Sequence, residues 1–282
     1  MENITGLIQQ KMPYPPNRMS VHILLSTHTS YKYSLHELLI IKGCDTSKRV
    51  HTEQLMETYR AHCLILPFPI QGHINPLLQF ATRLQHQGTK ITLVTTKFLF
   101  KTLQEASGSI SVEAISDGYD EGVNGVAAGI YLAMFRKCGS ETLTELILKL
   151  HDLGCPVDCI VYDAFLPWCL DVAKSLGLRG AVFFTQSCAV NNIYYHAHKG
   201  CLKLPLEETE VDIPGLPPLL ASDLPSFISD YASYPAIYQL VVHDQMENIE
   251  EADWIFFNTF YKLEEEVKIL EYSQLWPNRL LI

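Results

Sequence analysis

Basic residues are scarce in this chain: 21 lysines and arginines stand against 31 aspartates and glutamates, a formal charge of −10. A nucleic-acid binder concentrates positive charge on one face, so no nucleic-acid partner is expected. No apolar run reaches the length of a membrane span, and residues 1–55 lack the compact apolar stretch and cleavage pattern of a secretory signal. A cytoplasmic protein without membrane contact is the expectation. The eight cysteines have no paired spacing, and Cys63, Cys159 and Cys169 sit inside apolar runs. They read as small buried hydrophobes of a reducing compartment, without disulfides. Cys155 and Cys159, and His196, His198 and Cys201, are close in sequence. Yet His196 and His198, two apart on a helix, point in different directions, and no second pair completes a tetrahedral set, so no metal site is expected.

Several catalytic signatures are missing too. The first strand-to-helix turn offers only Gly72 where a dinucleotide fold needs Gly-x-Gly-x-x-Gly, which leaves a nucleotide-dependent oxidoreductase as a weak third reading. The Walker sequence is absent. Ser187 lies in Thr-Gln-Ser-Cys-Ala rather than in the Gly-x-Ser-x-Gly elbow of a serine hydrolase. No internal repeat or low-complexity tract is present.

What the chain does have is a core-forming composition, 48% hydrophobic and 18% charged, and an alternation of short apolar runs with helical patterns. Strands are predicted at Cys63–Leu66, Lys90–Thr95, Ile110–Ile115, Asp158–Tyr162, Gly180–Thr185 and Trp254–Asn258. Helices are predicted over Asn75–Gln87, Phe98–Glu105, Ala127–Leu150, Leu166–Leu176, Ser187–Lys199 and Tyr234–Glu250, with a short Glu-rich helix at the end. Ile213–Leu224, rich in proline and glycine, reads as a long loop. The acidic stretches Glu207–Asp212 and Glu264–Glu266 read as solvated faces. This order argues for an α/β fold, a doubly wound parallel sheet with helices on both faces. Residues 1–58, with Pro13, Pro15, Pro16 and no sustained period, read as a poorly ordered N-terminal extension. A true start at Met56 fits better than an organellar transit peptide.

The segment from His62 to Phe80 carries the most information. An apolar strand runs into Pro67, Pro69 and Gly72, then Asn75 as helix N-cap and Pro76 at the first helical position. That places His73 at the carboxyl end of a parallel strand, just before a helix N-terminus, the edge where open α/β sheets bind ligands. A helix N-terminus disfavours imidazolium and keeps a histidine available as a base. Asp163 follows the strand VDCIVY and should project at the same edge. Together they could form a base and the carboxylate that orients it. Each also has a plain structural reading, His73 as a hydrogen-bonded turn residue and Asp163 as the N-cap of the next helix, and spacing alone leaves both open.

The strings PFPIQGHINPLLQFATRL, VYDAFLPWCLDVAKSLGL, VFFTQS, IPGLPPL, DLPSF and ADWIFFNTFYKLEEEV, in this order, resemble plant UDP-sugar-dependent glycosyltransferases acting on small molecules. The resemblance covers roughly Ala61 to the C-terminus and implies a single Rossmann-like domain over residues 59–282, the N-terminal, acceptor-binding half of a GT-B enzyme. It implies His73 as general base, Asp163 as its partner and Thr185 as a contact to the transferred sugar. The implied reaction is an inverting displacement: an acceptor hydroxyl or carboxyl attacks the anomeric carbon of a UDP-sugar, with glucose the expected sugar, and UDP departs. The UDP-sugar is a co-substrate, and no cofactor is implied. Acceptors would be phenols, flavonoids, hormones or carboxylic acids. Gln71, Gly72, Phe165, Trp168, Gln186, Ser187 and the loop around Phe227 are the expected acceptor pocket, since flat apolar ligands want aromatic walls with few polar contacts. The family's donor signature, a Trp-led motif ending in an acidic-Gln pair, is not found after Trp276, so the C-terminal donor-binding domain is read as absent. The chain alone is therefore expected to transfer little or no sugar, with UDP-sugar bound only if a donor domain is supplied. The competing reading is a non-catalytic small-molecule-binding fragment or pseudoenzyme.

Overall fold

The structure is a computed structural model that describes residues 61–206, 209–264 and 279–281. The expected extension over residues 1–58 lies outside these, as do Glu207, Glu265 and Glu266. Five apolar segments form adjacent parallel strands: β1 (His62–Leu66), β2 (Lys90–Thr96), β3 (Ser111–Ile115), β4 (Cys159–Asp163) and β5 (Arg179–Phe184). Between them lie α1 (Gln71–His86), α2 (Phe100–Ala106), α3 (Ala128–Asp152), α4 (Trp168–Ser175) and, after β5, α5 (Cys188–His198). A two-residue ribbon follows, β6 (Glu210–Val211) against β7 (Leu219–Leu220), then the short helices α6 (Ser226–Ser229) and α7 (Pro235–Tyr238). β8 (Trp254–Phe257) and β9 (Arg279–Leu281) extend the main sheet, whose order is β3-β2-β1-β4-β5-β8-β9. The sequence order runs outward from β1 to β3 and then returns on the other side of β1 with β4. The crevice at that reversal is where doubly wound sheets hold ligands.

Strict alternation along each strand sends side chains to two faces, and both are apolar because both are covered. Cys63, Ile65, Leu93, Val161, Phe183 and Phe256 meet Leu77, Phe80, Ala81 and Leu84 of α1. Leu64, Leu66, Val94, Ile160, Tyr162 and Phe184 meet Phe135 and Leu143 of α3, Trp168 of α4 and Ile193 of α5. α1 ends as its sequence predicts: Gly88 takes a φ of 86°, where a side chain would be strained.

Three expectations need correction. α1 begins at Gln71, not after Asn75, with Ile70 as N-cap and Pro76 inside the helix. The first turn closes on the Ile70 carbonyl, which accepts from His73 N (3.0 Å) and Ile74 N (2.9 Å). The bond that Pro76 cannot donate falls to the carbonyl of exposed Gly72, which water can satisfy. The loop at 213–224 is partly ordered as β7, through a turn in which Pro214 precedes Gly215 at φ 83° and Leu216 N donates to Ile213 O (3.0 Å). The predicted helix Tyr234–Glu250 is wound in pieces: α7, a π-wound turn over Gln239–His243, and 3₁₀ turns at Asp244–Met246 and Ile249–Glu251. Its consecutive Leu240, Val241 and Val242 are all buried, more than one face of a regular helix can deliver. The Gln245 side-chain amide takes the Val241 carbonyl, and Asn248 Nδ2 donates to Pro167 O (3.0 Å) and Asp171 Oδ1 (2.9 Å) on the way into α4.

His62 stands at the opposite end of β1 from the crevice and is 5% exposed. Carbonyls only accept, so its Nδ1–H donates to Cys155 O and Pro156 O (3.2 Å each), while the Thr92 hydroxyl donates to Nε2 (2.9 Å). The neutral ring satisfies every partner. Burial, reinforced by the Lys90 charge, holds its pKa below the ordinary imidazole value. Between the folded and unfolded values, only the unfolded chain holds this proton. Stability is therefore intact above about pH 6.5 and falls as pH drops below it. Urea unfolding at a series of pH values should show a shallower acid loss in His62→Asn than in the parent chain. A second test concerns close packing. A Cβ at Gly139 would lie 2.6 Å from Trp168 Cη2 and 2.8 Å from Cζ2, rigid ring atoms, whereas a Cβ at Gly180 meets the mobile end of Leu170. Gly139→Ala should cost about 1–3 kcal/mol in urea unfolding, despite alanine's better helix propensity, and Gly180→Ala clearly less.

Candidate active site

β1 leaves the sheet at Leu66, runs through Pro67, Phe68 and Pro69, and enters α1, whose first turn carries His73. Leu66 is registered against Tyr162, so Asp163, the last residue of β4, sits one position beyond the end of β1. The two side chains close the gap. His73 Nδ1 donates to Asp163 Oδ2 at 2.7 Å, across 90 positions of sequence, with side chains 9% and 1% exposed. A carboxylate can only accept, so the hydrogen resides on Nδ1 and Nε2 is left with its lone pair. Among the described residues, Nε2 has no hydrogen-bond partner. Asp163 Oδ1 accepts from Phe165 N (3.0 Å), so both carboxylate oxygens are engaged. Asp163 does not cap the following helix: α4 starts at Trp168 with Pro167 as its N-cap.

The imidazole is held between aromatic rings. Phe165 lies 4.6 Å from it, centroid to centroid, and Phe68 5.7 Å away at a steep angle. Phe68 packs in turn on Tyr131 (6.4 Å) and Phe135 (6.4 Å) of α3. Rings on two sides and a buried carboxylate behind leave the histidine one orientation. Phe68 was not anticipated, because a residue between two prolines reads as turn; it is nonetheless 8% exposed.

The other expected residues fall into three groups. Thr185 follows the end of β5, and its Oγ1 lies 3.4 Å from His73 Nδ1, a contact too long to compete with Asp163 for that hydrogen. Gln186 and Ser187 continue the same turn; Ser187 caps α5, its Oγ accepting from Val190 N (3.3 Å), and Gln186 Oε1 is buried with no hydrogen-bond partner. Gln71 and Gly72 are exposed in the first turn of α1, and open space surrounds the Gly72 Cα. Trp168 and Phe227 are not brought to the imidazole. Trp168 is 4% exposed and wedged on Phe135 (5.5 Å) and Gly139, so its ring belongs to the core behind the site. Phe227 packs edge-on against Tyr234 at 5.7 Å.

Two cavities flank this edge. The larger, about 760 Å³, is lined by Ala189, Val190 and Ile193 of α5 and by Leu216, Pro217 and Leu219, without His73 or Asp163. The smaller, about 130 Å³, is lined by Pro69, Thr96, Asp117, Tyr119 and Tyr131, directly beyond Phe68. The first has room, and Asp223 and Glu264 also line it, but the imidazole does not. The second is not lined by His73 or Asp163 either, and it is below the roughly 300 Å³ that holds a drug-sized ligand.

One more residue corrects the sequence reading. Glu264, expected on a solvated face, is 7% exposed and accepts from Cys188 N and Ala189 N, both at 2.9 Å. Among the described residues, no group of histidine, cysteine and carboxylate side chains is arranged to hold a metal, and no helix is long and apolar enough to cross a membrane.

No protein-family model matches the chain. UDP-glycosyltransferase 74F2 of Arabidopsis thaliana is 46% identical over 226 residues, covering 78% of this chain and 47% of the relative. Flavonol 7-O-beta-glucosyltransferase UGT74F1 of the same plant is 42% identical over 214 residues, 74% of this chain and 46% of the relative. Among solved structures, Os79 of O. sativa in complex with U2F and trichothecene superposes with a TM-score of 0.67 at 33% identity, covering 78% of this chain and 51% of that one. The same protein has been solved in complex with UDP. The chain thus spans about half the length of the curated relatives it matches. A Rossmann-like sheet in the order just described, matched at these identities to enzymes of one kind, places the chain in the plant UDP-glycosyltransferase family, whose fold is GT-B.

Proposed function

We propose that these residues form the acceptor-binding half of a UDP-sugar-dependent glycosyltransferase, with His73 as the base that takes the acceptor's proton. The observation that carries this reading is the 2.7 Å bond from His73 Nδ1 to Asp163, which leaves the Nε2 lone pair free at the switch point of the sheet. As an acceptor hydroxyl gives its proton to Nε2, its oxygen attacks the anomeric carbon of the UDP-sugar from the face opposite UDP. The configuration inverts and UDP leaves. Asp163 then faces a cationic ring and stabilises it. Thr185, whose Oγ1 lies 3.4 Å from the imidazole, contacts the incoming sugar in this reading. Phe165, Gln71, Gly72, Gln186 and Ser187 surround the same edge, and the unpartnered Gln186 Oε1 can accept a hydrogen bond from a second acceptor hydroxyl. In this reading, Trp168 supports the pocket from behind and does not line it. The acceptor class is small and aromatic, a phenol, flavonoid or aromatic acid, and glucose is the proposed sugar.

Because the chain matches only about half of each relative, transfer is best tested with residues 61–282 joined to the complementary half of one of them. With UDP-glucose and a phenol, His73→Ala should lower kcat/KM by about 10²-fold or more, and Asp163→Asn should also lower it, since an amide does not hold the same tautomer. A carboxylic acid acceptor is already ionised near neutral pH and should lose much less on His73→Ala. Phenol glucosylation unchanged by His73→Ala would refute the assignment. The 282-residue chain assayed by itself is expected to bind acceptor without turnover.

A further inference from the structure

We propose that Glu264 is a positioning residue: its carboxylate clamps the turn between β5 and α5 and so holds Thr185 and Gln186 in place beside the His73 imidazole. The role rests on the reading of His73 as the acceptor's base, and Glu264 acts on that base only through the turn.

The first four N–H groups of any helix lack intrahelical partners. In α5 side chains supply three of them. Glu264 Oε2 accepts from Cys188 N and Oε1 from Ala189 N, both at 2.9 Å, and Ser187 Oγ accepts from Val190 N (3.3 Å); the regular ladder then begins with Asn191 N donating to Ser187 O (3.1 Å). The two tighter side-chain bonds are those to the carboxylate. A negative group at a helix N-terminus also meets the favourable end of the helix dipole. From the other side, Asn191 Nδ2 donates to Gln186 O (3.3 Å) and Ser187 O (2.9 Å). Gln186 and Ser187 are therefore held by Asn191, and the two residues that follow them by Glu264, so that Thr185 enters a turn fixed just downstream of it. Thr185 Oγ1, 3.4 Å from His73 Nδ1, is the point where this turn meets the base.

Glu264 reaches the turn from 76 positions downstream of Cys188. β8 lies parallel to β5, and the ladder continues one step past its end, where Asn258 N donates to Phe184 O (2.9 Å). A 3₁₀ turn over Tyr261–Leu263 then brings the chain back across the edge of the sheet. The exit of β8 is thus tied to the residues that flank the imidazole. A cap of ordinary strength needs only a local serine or aspartate. A buried carboxylate delivered by another strand fixes where the helix start lies relative to the sheet.

The experiment compares Glu264→Ala and Glu264→Gln in the full 282-residue chain. Three quantities are read: amide hydrogen exchange at residues 185–189, the chemical shifts of the His73 ring, and the dissociation constants of 4-nitrophenol and a flavonol. Glu264→Ala should speed exchange at Cys188 and Ala189 about tenfold or more while β1 and β4 keep their protection. It should also move the His73 ring shifts and weaken 4-nitrophenol binding about tenfold, the order of loss expected of a displaced binding group. Glu264→Gln keeps the shape and one good acceptor, so it should fall between the parent chain and Glu264→Ala. Loss of a helix cap alone would leave the His73 ring shifts where they are. Wild-type exchange at residues 185–189, or unmoved His73 ring shifts, in a folded Glu264→Ala chain overturns the proposal. Should that variant fail to fold, Glu264→Gln decides in the same way. If the unmutated chain binds neither ligand, the reading of His73 as the acceptor's base fails, and exchange and ring shifts still decide the part played by Glu264.

Discussion

One hydrogen bond organises this edge of the molecule, the 2.7 Å contact between His73 and Asp163. It requires β1 and β4 to be adjacent, parallel and in a register that sets Leu66 opposite Tyr162, so that the residue after Tyr162 clears the end of β1. It also requires α1 to start early enough to hold the histidine in its first turn. The reversal of strand order between β1 and β4 opens the crevice, and the same reversal brings the two residues together. The bond also decides which ring nitrogen is free, because a carboxylate accepting from Nδ1 leaves the lone pair on Nε2.

Behind the bond, packing supplies rigidity. Phe165 and Phe68 hold the imidazole, Phe135 backs Phe68, and Trp168 backs Phe135, with Gly139 leaving the space that the indole fills. This row of rings links the site to α3 and α4, so a change of volume at Gly139 is transmitted toward the histidine through close contacts. At the far end of the same strand, His62 is buried neutral among carbonyls and a hydroxyl. Two histidines on one β-α unit thus have opposite surroundings: one satisfied on both nitrogens, the other held by one and free at the second.

The edge is completed by segments distant in sequence. Ser187 caps α5 locally, Glu264 caps it from beyond β8, and Asn248 ties the broken helical segment to the start of α4. Side chains distant in sequence thereby join neighbouring strand ends. The parallel sheet holds His73 and Asp163, while the segments around it are tied to one another by side chains.

The parallel sheet, its winding and the placing of His73 and Asp163 at one edge of it were legible in the amino-acid sequence, because they follow from short-range signals. Apolar runs such as Cys63–Leu66 and Asp158–Tyr162, short and bounded by turn residues, read as buried strands, glycines such as Gly88 end helices, and residues just past parallel strands gather at one edge. Other features depended on long-range neighbours that no local pattern carries. Pro76 looked like a helix start, but the exposure of Gly72 lets its carbonyl do without that bond one turn in. Leu240 to Val242 had the apolar content of a helix, yet three consecutive buried side chains sit in a wider-wound turn. Trp168 looked as fit for a pocket wall as Phe165, and only the space left by Gly139 drew it into the core. Glu264, one acidic residue among several, became a helix clamp once β8 paired with β5 and brought it to two unpartnered amides. Sequence by itself determined which residues could be buried and where strands end; tertiary structure decided which polar groups meet, because a hydrogen bond depends on positions in space that residues far apart in the chain share only after folding.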